Sequence, residues 1–169
     1  MISKTKYQLL LIAICSIVWA ACTQQRQPCL TPKIASLNMH CIHKPSDTAT
    51  IFADTALPTT LLTAITNSGA QSFIYRNQNA SFTLSLSSVS DSCKWAITTD
   101  TFGNHPDTLT FFYEHKLQFI SNACGFAYFY NLDSIHTTHL MIDSVQILNT
   151  SVTNNVNTKH LQIYIHPDF

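Results

Sequence analysis

The sequence predicts an all-β fold, an antiparallel β-sandwich of roughly eight to ten strands with Ig-like or related topology, stapled by disulfides. Three observations predict it. Apolar residues alternate with polar ones along most of the chain, helical spacing is confined to one short stretch, and the connecting segments are rich in Thr, Ser and Asn.

Along the chain, the first element is an export signal. Lys4 and Lys6 precede an apolar run over residues 9–21 that is short for a bilayer span, and Ala20 and Ala21 place small residues before Cys22. Residues 1–21 therefore read as a lipoprotein signal peptide, with Cys22 as the lipidated residue. Trp19 stands where an aliphatic residue is commonest, so plain secretion with cleavage near Ala20 is the competing reading. Residues 22–28 are polar and form a short tether, and residues 29–169 form a single sandwich domain.

Residues 58–65 carry the one helical spacing, with Pro58 at the start and Leu61, Leu62 and Ile65 on one side, and predict a short turn of helix. Strands are predicted from the alternation of Phe82, Leu84 and Leu86, of Cys93, Trp95 and Ile97, of Phe126, Tyr128 and Tyr130, and of Leu161, Ile163 and Ile165. Residues 108–113 and 117–120 are aromatic-rich strands. Residues 140–147 make two short pieces or one bent strand, and Cys124 with Gly125 marks a tight turn or bulge.

Four cysteines follow the lipidation site: Cys29, Cys41, Cys93 and Cys124. In an oxidising compartment an even set reads as two disulfides, with three pairings open. A thiolate metal site and free thiols are the alternatives, and no CxxC spacing supports the former.

Loss of Lys4 and Lys6 leaves a slight acidic excess, which gives no footing for nucleic-acid binding. His40 with His43, and His136 with His139, are three apart, a spacing that sends strand side chains to opposite faces, so no metal site is predicted. Glu114 is the sole glutamate, and no Gly-x-Ser-x-Gly elbow or phosphate-cradling glycine loop occurs. Asp133, Ser134 and His136 adjoin in sequence, which is not the geometry of a catalytic triad. No catalytic residue, cofactor or enzyme activity is predicted.

Residues 107–133 hold the densest aromatics, and Phe111 to Tyr113 and Tyr128 to Tyr130 put rings on both faces of a strand. One set must be covered by another element or form a docking surface. Trp95, Tyr75 or Tyr128, if exposed, would instead stack on a sugar ring. Every Asp except Asp168 is followed by Ser or Thr, as expected of Asx-type turns and strand ends in which the carboxylate accepts backbone hydrogen bonds. Five of these sites, at Thr48, Thr55, Thr108, Ser134 and Ser144, also resemble the three-residue O-glycosylation motif of exported Bacteroidota proteins.

The segments CLTPK (29–33), LNMHC (37–41), DTALP (54–58), DSCKW (91–95), FISNACGFAYFYNL (119–132) and HLQIYI (160–165) resemble small Bacteroidota envelope lipoproteins, a family of unknown function. The resemblance spans nearly all of the mature chain and implies a lipid-anchored envelope protein working beside a small outer-membrane β-barrel protein. It brings no catalytic or ligand residues. The tether lacks acidic residues, which favours the periplasmic face. The function expected is a non-enzymatic accessory or binding subunit for an outer-membrane protein or assembly complex, the alternative being a glycan- or small-ligand-binding sandwich.

Overall fold

The computed structural model describes residues 28–43, 56–57, 60–66, 69–75, 79–98 and 106–166. Residues Met1–Leu30 and Thr31–Phe169 are separate compact units. The described elements are all strands: β1 (Ser36–His43), β2 (Thr60–Thr66), β3 (Gly69–Tyr75), β4 (Ser81–Ser85), β5 (Ser92–Thr98), β6 (Asp107–Ser121), β7 (Gly125–Thr137), β8 (Ile142–Ile147), β9 (Ser151–Val152) and β10 (Leu161–Ile165). The helix expected over residues 58–65 is a strand instead. Thr60 and Leu62 are buried, and β2 pairs with β3 on one side and β5 on the other. With β-branched Thr60, Thr63, Ile65 and Thr66, this segment suits a pleated surface better than a helix.

The strands make a four-stranded sheet, β4-β1-β10-β8, and a six-stranded sheet, β3-β2-β5-β6-β7-β9. All pairs are antiparallel except the central β1 and β10 of the smaller sheet, where Cys41 lies level with Ile163. One core joins the sheets. Leu37, Met39, Phe82, Leu84, Leu161 and Ile163 from the smaller meet Leu62, Trp95, Ile97, Leu109, Phe111 and Leu132 from the larger. Phe82, Leu84, Trp95, Ile97, Leu161 and Ile163 of this inward set are residues that the alternation named, and each large side chain contributes about 2 kcal/mol by its removal from water.

The chain changes sheets repeatedly, and polar tips of core residues fix two of the crossings. Between β4 and β5, the Tyr113 hydroxyl donates to the Ser87 carbonyl at 3.1 Å and accepts from the Ser87 N–H at 2.8 Å. Trp95 Nε1–H donates to the Ser85 carbonyl and the Tyr130 hydroxyl to the Leu86 carbonyl, both at 3.3 Å. Between β7 and β8, the carboxylate of the fully buried Asp107 accepts from the backbone N–H groups of Leu140 at 2.8 Å, Met141 at 2.6 Å and Ile142 at 2.7 Å, and from the Thr138 hydroxyl at 2.5 Å. Burial alone would raise this carboxyl's pKa, but the hydrogen bonds from Leu140, Thr138, Ile142 and Met141 together outweigh it and hold the group below the ordinary carboxylate range.

Two disulfides do not form among the described cysteines. Cys29 and Cys124 are each in a disulfide, whereas Cys41 and Cys93 are thiols. The reason is geometric. Cys41 sits in the core on the smaller sheet, whereas Cys93 sits on β5 of the larger and packs against that core from the other side. A disulfide needs Cβ atoms about 4 Å apart, and these two cysteines, on different strands of different sheets, are not brought to that distance. Burial pushes the Cys93 thiol pKa up despite the nearby Tyr113 hydroxyl, which leaves it a poor nucleophile.

Candidate docking surface

Strands β6 and β7 are the longest, at 15 and 13 residues, and only the first half of β6 and the second half of β7 belong to the packed sheet. Strand β5 pairs with β6 from Asp107 to Phe112 and no further. On the other side, β9 meets β7 at Tyr130 and Asn131 alone. Beyond these limits residues 116–121 and 125–129 pair only with each other among the described residues, as a two-stranded ribbon with both outer edges open. Gly125 closes it with φ at 74°, a left-handed conformation that glycine adopts without Cβ strain, and the Cys124 N–H donates to Ser121 Oγ at 3.1 Å.

The register of the ribbon decides what it shows to solvent. Tyr113 and Leu132 pair opposite each other and face the core; an extra residue in β7, Asp133, keeps both Leu132 and Ile135 on that side. Counting outward by twos, the same face carries His115, Leu117, Phe119, Phe126 and Tyr128. Here the smaller sheet no longer covers it. Leu117, Phe119, Phe126 and Tyr128 are 55, 56, 61 and 38% exposed. Phe119 and Phe126 meet edge to face with ring centroids 5.3 Å apart, and His115 meets Tyr128 at 5.6 Å. At the base of the ribbon, His115 Nδ1 lies 2.9 Å from the Asp91 carboxylate.

The opposite face is polar. Glu114, Lys116, Gln118, Phe129, Asn131 and Ser151 line an open groove of about 270 Å³, in which Phe129 supplies an apolar floor among several hydrogen-bonding groups. The ribbon is therefore amphipathic, with no Asp, Glu, Lys or Arg on its apolar side.

The other residues singled out by sequence scatter over the fold. Cys22, Thr48 and Thr55 lie outside the described residues. Thr108 is half-buried inside β6, opposite Ala96, and its N–H donates to Thr138 Oγ1 at 2.9 Å. Ser134 lies beside the β7 irregularity, opposite Phe112, and Ser144 in β8, opposite Tyr164. All three are strand positions, not the exposed loops expected of glycosylation sites. Of the rings proposed for stacking, Trp95 is buried in the core and Tyr128 is on the ribbon.

The histidines do not converge. His136 packs its ring against Phe112 at 5.6 Å, and His139 is held by the carbonyls of Ile142 and Asp143 at 3.2 and 2.9 Å. His160 is fully buried, and its Nδ1 accepts the Asn38 N–H at 3.0 Å. Desolvation lowers its pKa, so it is the neutral imidazole that joins the start of β10 to β1. Among the described residues no three His, Cys, Asp or Glu side chains are arranged to hold a metal ion. No helix there is long and apolar enough to cross a membrane. The roles of Asp107 and His160 escaped sequence reasoning because their partners are more than 30 and more than 100 residues away.

Fold and surface together define a two-sheet β-sandwich carrying an amphipathic two-stranded ribbon. The chain belongs to a family of unknown function, DUF6452, whose model matches residues 60–165, a span that runs from the start of β2 to the end of β10 and includes the whole ribbon. No curated protein and no solved structure matches it.

Proposed function

We propose that this protein is a lipid-anchored envelope protein of the Bacteroidota type, held at the periplasmic face of the outer membrane through Cys22, and that it acts without catalysis as an accessory or binding subunit of an outer-membrane β-barrel protein or envelope complex. The observation that carries this reading is the pair of open strand edges on the β6–β7 ribbon. Unpaired backbone N–H and C=O groups accept an added strand from a partner, and alternate side chains then provide specificity. An isolated two-stranded ribbon is marginal in water, so sequence spent on extending one beyond the core fits a binding element better than a structural one.

Photo-reactive residues placed at Lys116 and Gln118 in the native envelope test this. A discrete cross-linked membrane protein at these positions, with no such product from Val156, is the expected result. Cross-linking that is the same at all three positions would overturn it.

The groove on the polar face favours one second reading, a glycan-binding sandwich in which Phe129 stacks on a sugar ring. Saturable binding to an envelope glycan that Phe129→Ala abolishes would establish that reading over the first.

A further inference from the structure

We infer that the outward face of the smaller sheet carries a binding site for a single sugar ring bearing an oxyanion, formed by Asn38, His40 and Ser81 and walled by residues 156–159. The site shares no residue with the β6–β7 ribbon or with the Phe129 groove, and it depends on neither the docking reading nor a lipid anchor.

The strand pattern places these side chains outward. Leu37, Met39 and Cys41 of β1 and Phe82 and Leu84 of β4 are buried in the core, so Asn38, His40, Ser81 and Thr83 lie on the opposite face. Asn38 is level with Thr83, and His40 with Ser81. Residues 156–159, just before β10, complete with this patch a cavity of about 260 Å³.

The wall of the cavity is fixed by the fold. Asn38 Nδ2 donates to the carbonyls of Val156 at 2.8 Å and Thr158 at 3.0 Å, while Asn38 Oδ1 accepts from the Thr83 hydroxyl at 3.0 Å. Next to Lys159, the buried His160 is bonded to Asn38 twice: its N–H donates to the Asn38 carbonyl at 3.1 Å, and its Nδ1 accepts the Asn38 N–H at 3.0 Å. A ligand therefore meets a wall already ordered by folding, which spares the entropy that binding to a loose loop would cost.

The chemistry of the lining selects the ligand. Lys159, His40, Asn157 and Ser81 bring N–H and O–H donors, Lys159 carries a fixed positive charge, and no Asp or Glu lines the cavity. A matching ligand offers acceptors and a negative charge, as a carboxylate or phosphate does, and hydrogen bonds between ionised partners are the strong ones. Around that charge, the hydroxyl and amide groups match sugar hydroxyls, and the exposed side chain of Val156 matches the C–H face of a ring. The volume lies just under the about 300 Å³ at which drug-sized sites begin, which suits one ring and not a chain.

The test titrates the full-length protein, held in detergent micelles, with glucuronate, glucose 6-phosphate, glucose and inorganic phosphate, and reads affinity by ligand-observed NMR. Saturable binding of glucuronate or glucose 6-phosphate is expected, the tighter of the two naming carboxylate or phosphate as the anion, with glucose weaker by about tenfold. Lys159→Gln, at an exposed position, should weaken the anionic sugar about fivefold and leave glucose unchanged. Failure of both anionic sugars to bind would overturn the inference, as would glucose binding equally well. Inorganic phosphate binding as tightly as the sugars would overturn the sugar assignment, and loss of binding in Phe129→Ala but not in Lys159→Gln would move the site to the other groove.

Discussion

The two halves of the β6–β7 hairpin share strands, pairing and composition, yet one half is core and the other is surface. In the first, Leu109, Phe111, Tyr113 and Leu132 are almost completely enclosed; in the second, Leu117, Phe119, Phe126 and Tyr128 continue the same face into solvent. What separates them is the smaller sheet, which covers the first half and ends before the second. An alternating apolar strand thus acquires its role from what lies over it, and where nothing does, the same residues become a surface for something else.

The contrast is broken most forcefully by truncating one ring in each half. Phe111→Ala should cost about 4 kcal/mol, since a fully buried ring leaves a cavity. Phe119→Ala should change stability by less than about 0.5 kcal/mol in the detergent-free mature domain. Urea denaturation of both variants measures the difference, and comparable losses would mean that the ribbon is part of the folding core.

Loss of the disulfide at Cys124 comes next. A disulfide contributes about 3 kcal/mol by restricting the unfolded chain. The Cys124→Ser variant should show that loss in urea, while Cys93→Ser, at a thiol outside any disulfide, should stay within about 1 kcal/mol.

A smaller effect distinguishes the polar anchors of the base from the ribbon. Asp107→Asn should lose about 2 kcal/mol at neutral pH, because the new amide turns a donor toward N–H groups that need an acceptor. The sign with pH follows from the lowered pKa. The contribution of Asp107 is complete above the ordinary carboxylate value and is lost as pH falls through the lower folded value. Acid unfolding should therefore flatten in the variant. His160, also lowered, adds a loss of stability that begins as pH falls below the ordinary histidine value, because the unfolded chain takes up the proton first.

The smallest effect on stability carries the largest expected effect on function. Phe119→Ser combined with Phe126→Ser should leave the urea midpoint of the mature domain nearly unchanged and reduce recovery of any partner with the tagged protein from gently solubilised outer membranes. Unchanged recovery would remove the ribbon's apolar face from the account of partner binding.

Much of this fold was legible because half-buried strands write period two into the sequence. The inward residues of β4, β5 and β10 are those that the alternation named, whereas of the β7 set only Tyr130 is buried, and the turn at Cys124 and Gly125 is where the chain reverses. Residues 58–65 were misread because Leu61, Leu62 and Ile65 fit a helical face locally, while pairing with strands on both sides, invisible in one segment, decided the outcome. The cysteines misled through parity: an even count implied two bridges, but Cys41 and Cys93 remain thiols on separate strands that the fold does not bring together. Asp107-Thr108 looked like a turn or a modification motif and is a buried anchor, since nothing near it in sequence announces partners at residues 138–142. The aromatic surplus of residues 107–133 was visible as a problem of two faces. Which rings remain uncovered depends on where the second sheet stops, and that is a property of the tertiary structure alone.

Amide hydrogen exchange, compared between the purified mature domain and the lipidated protein in native envelope vesicles, tests the ribbon most directly. In the purified domain, residues 116–121 and 125–129 should exchange far faster than Ile97, Leu109 and Phe111. In the envelope, protection should rise on the ribbon and nowhere else on the sandwich. A ribbon that exchanges equally fast in both settings, with new protection on another face, would contradict the account.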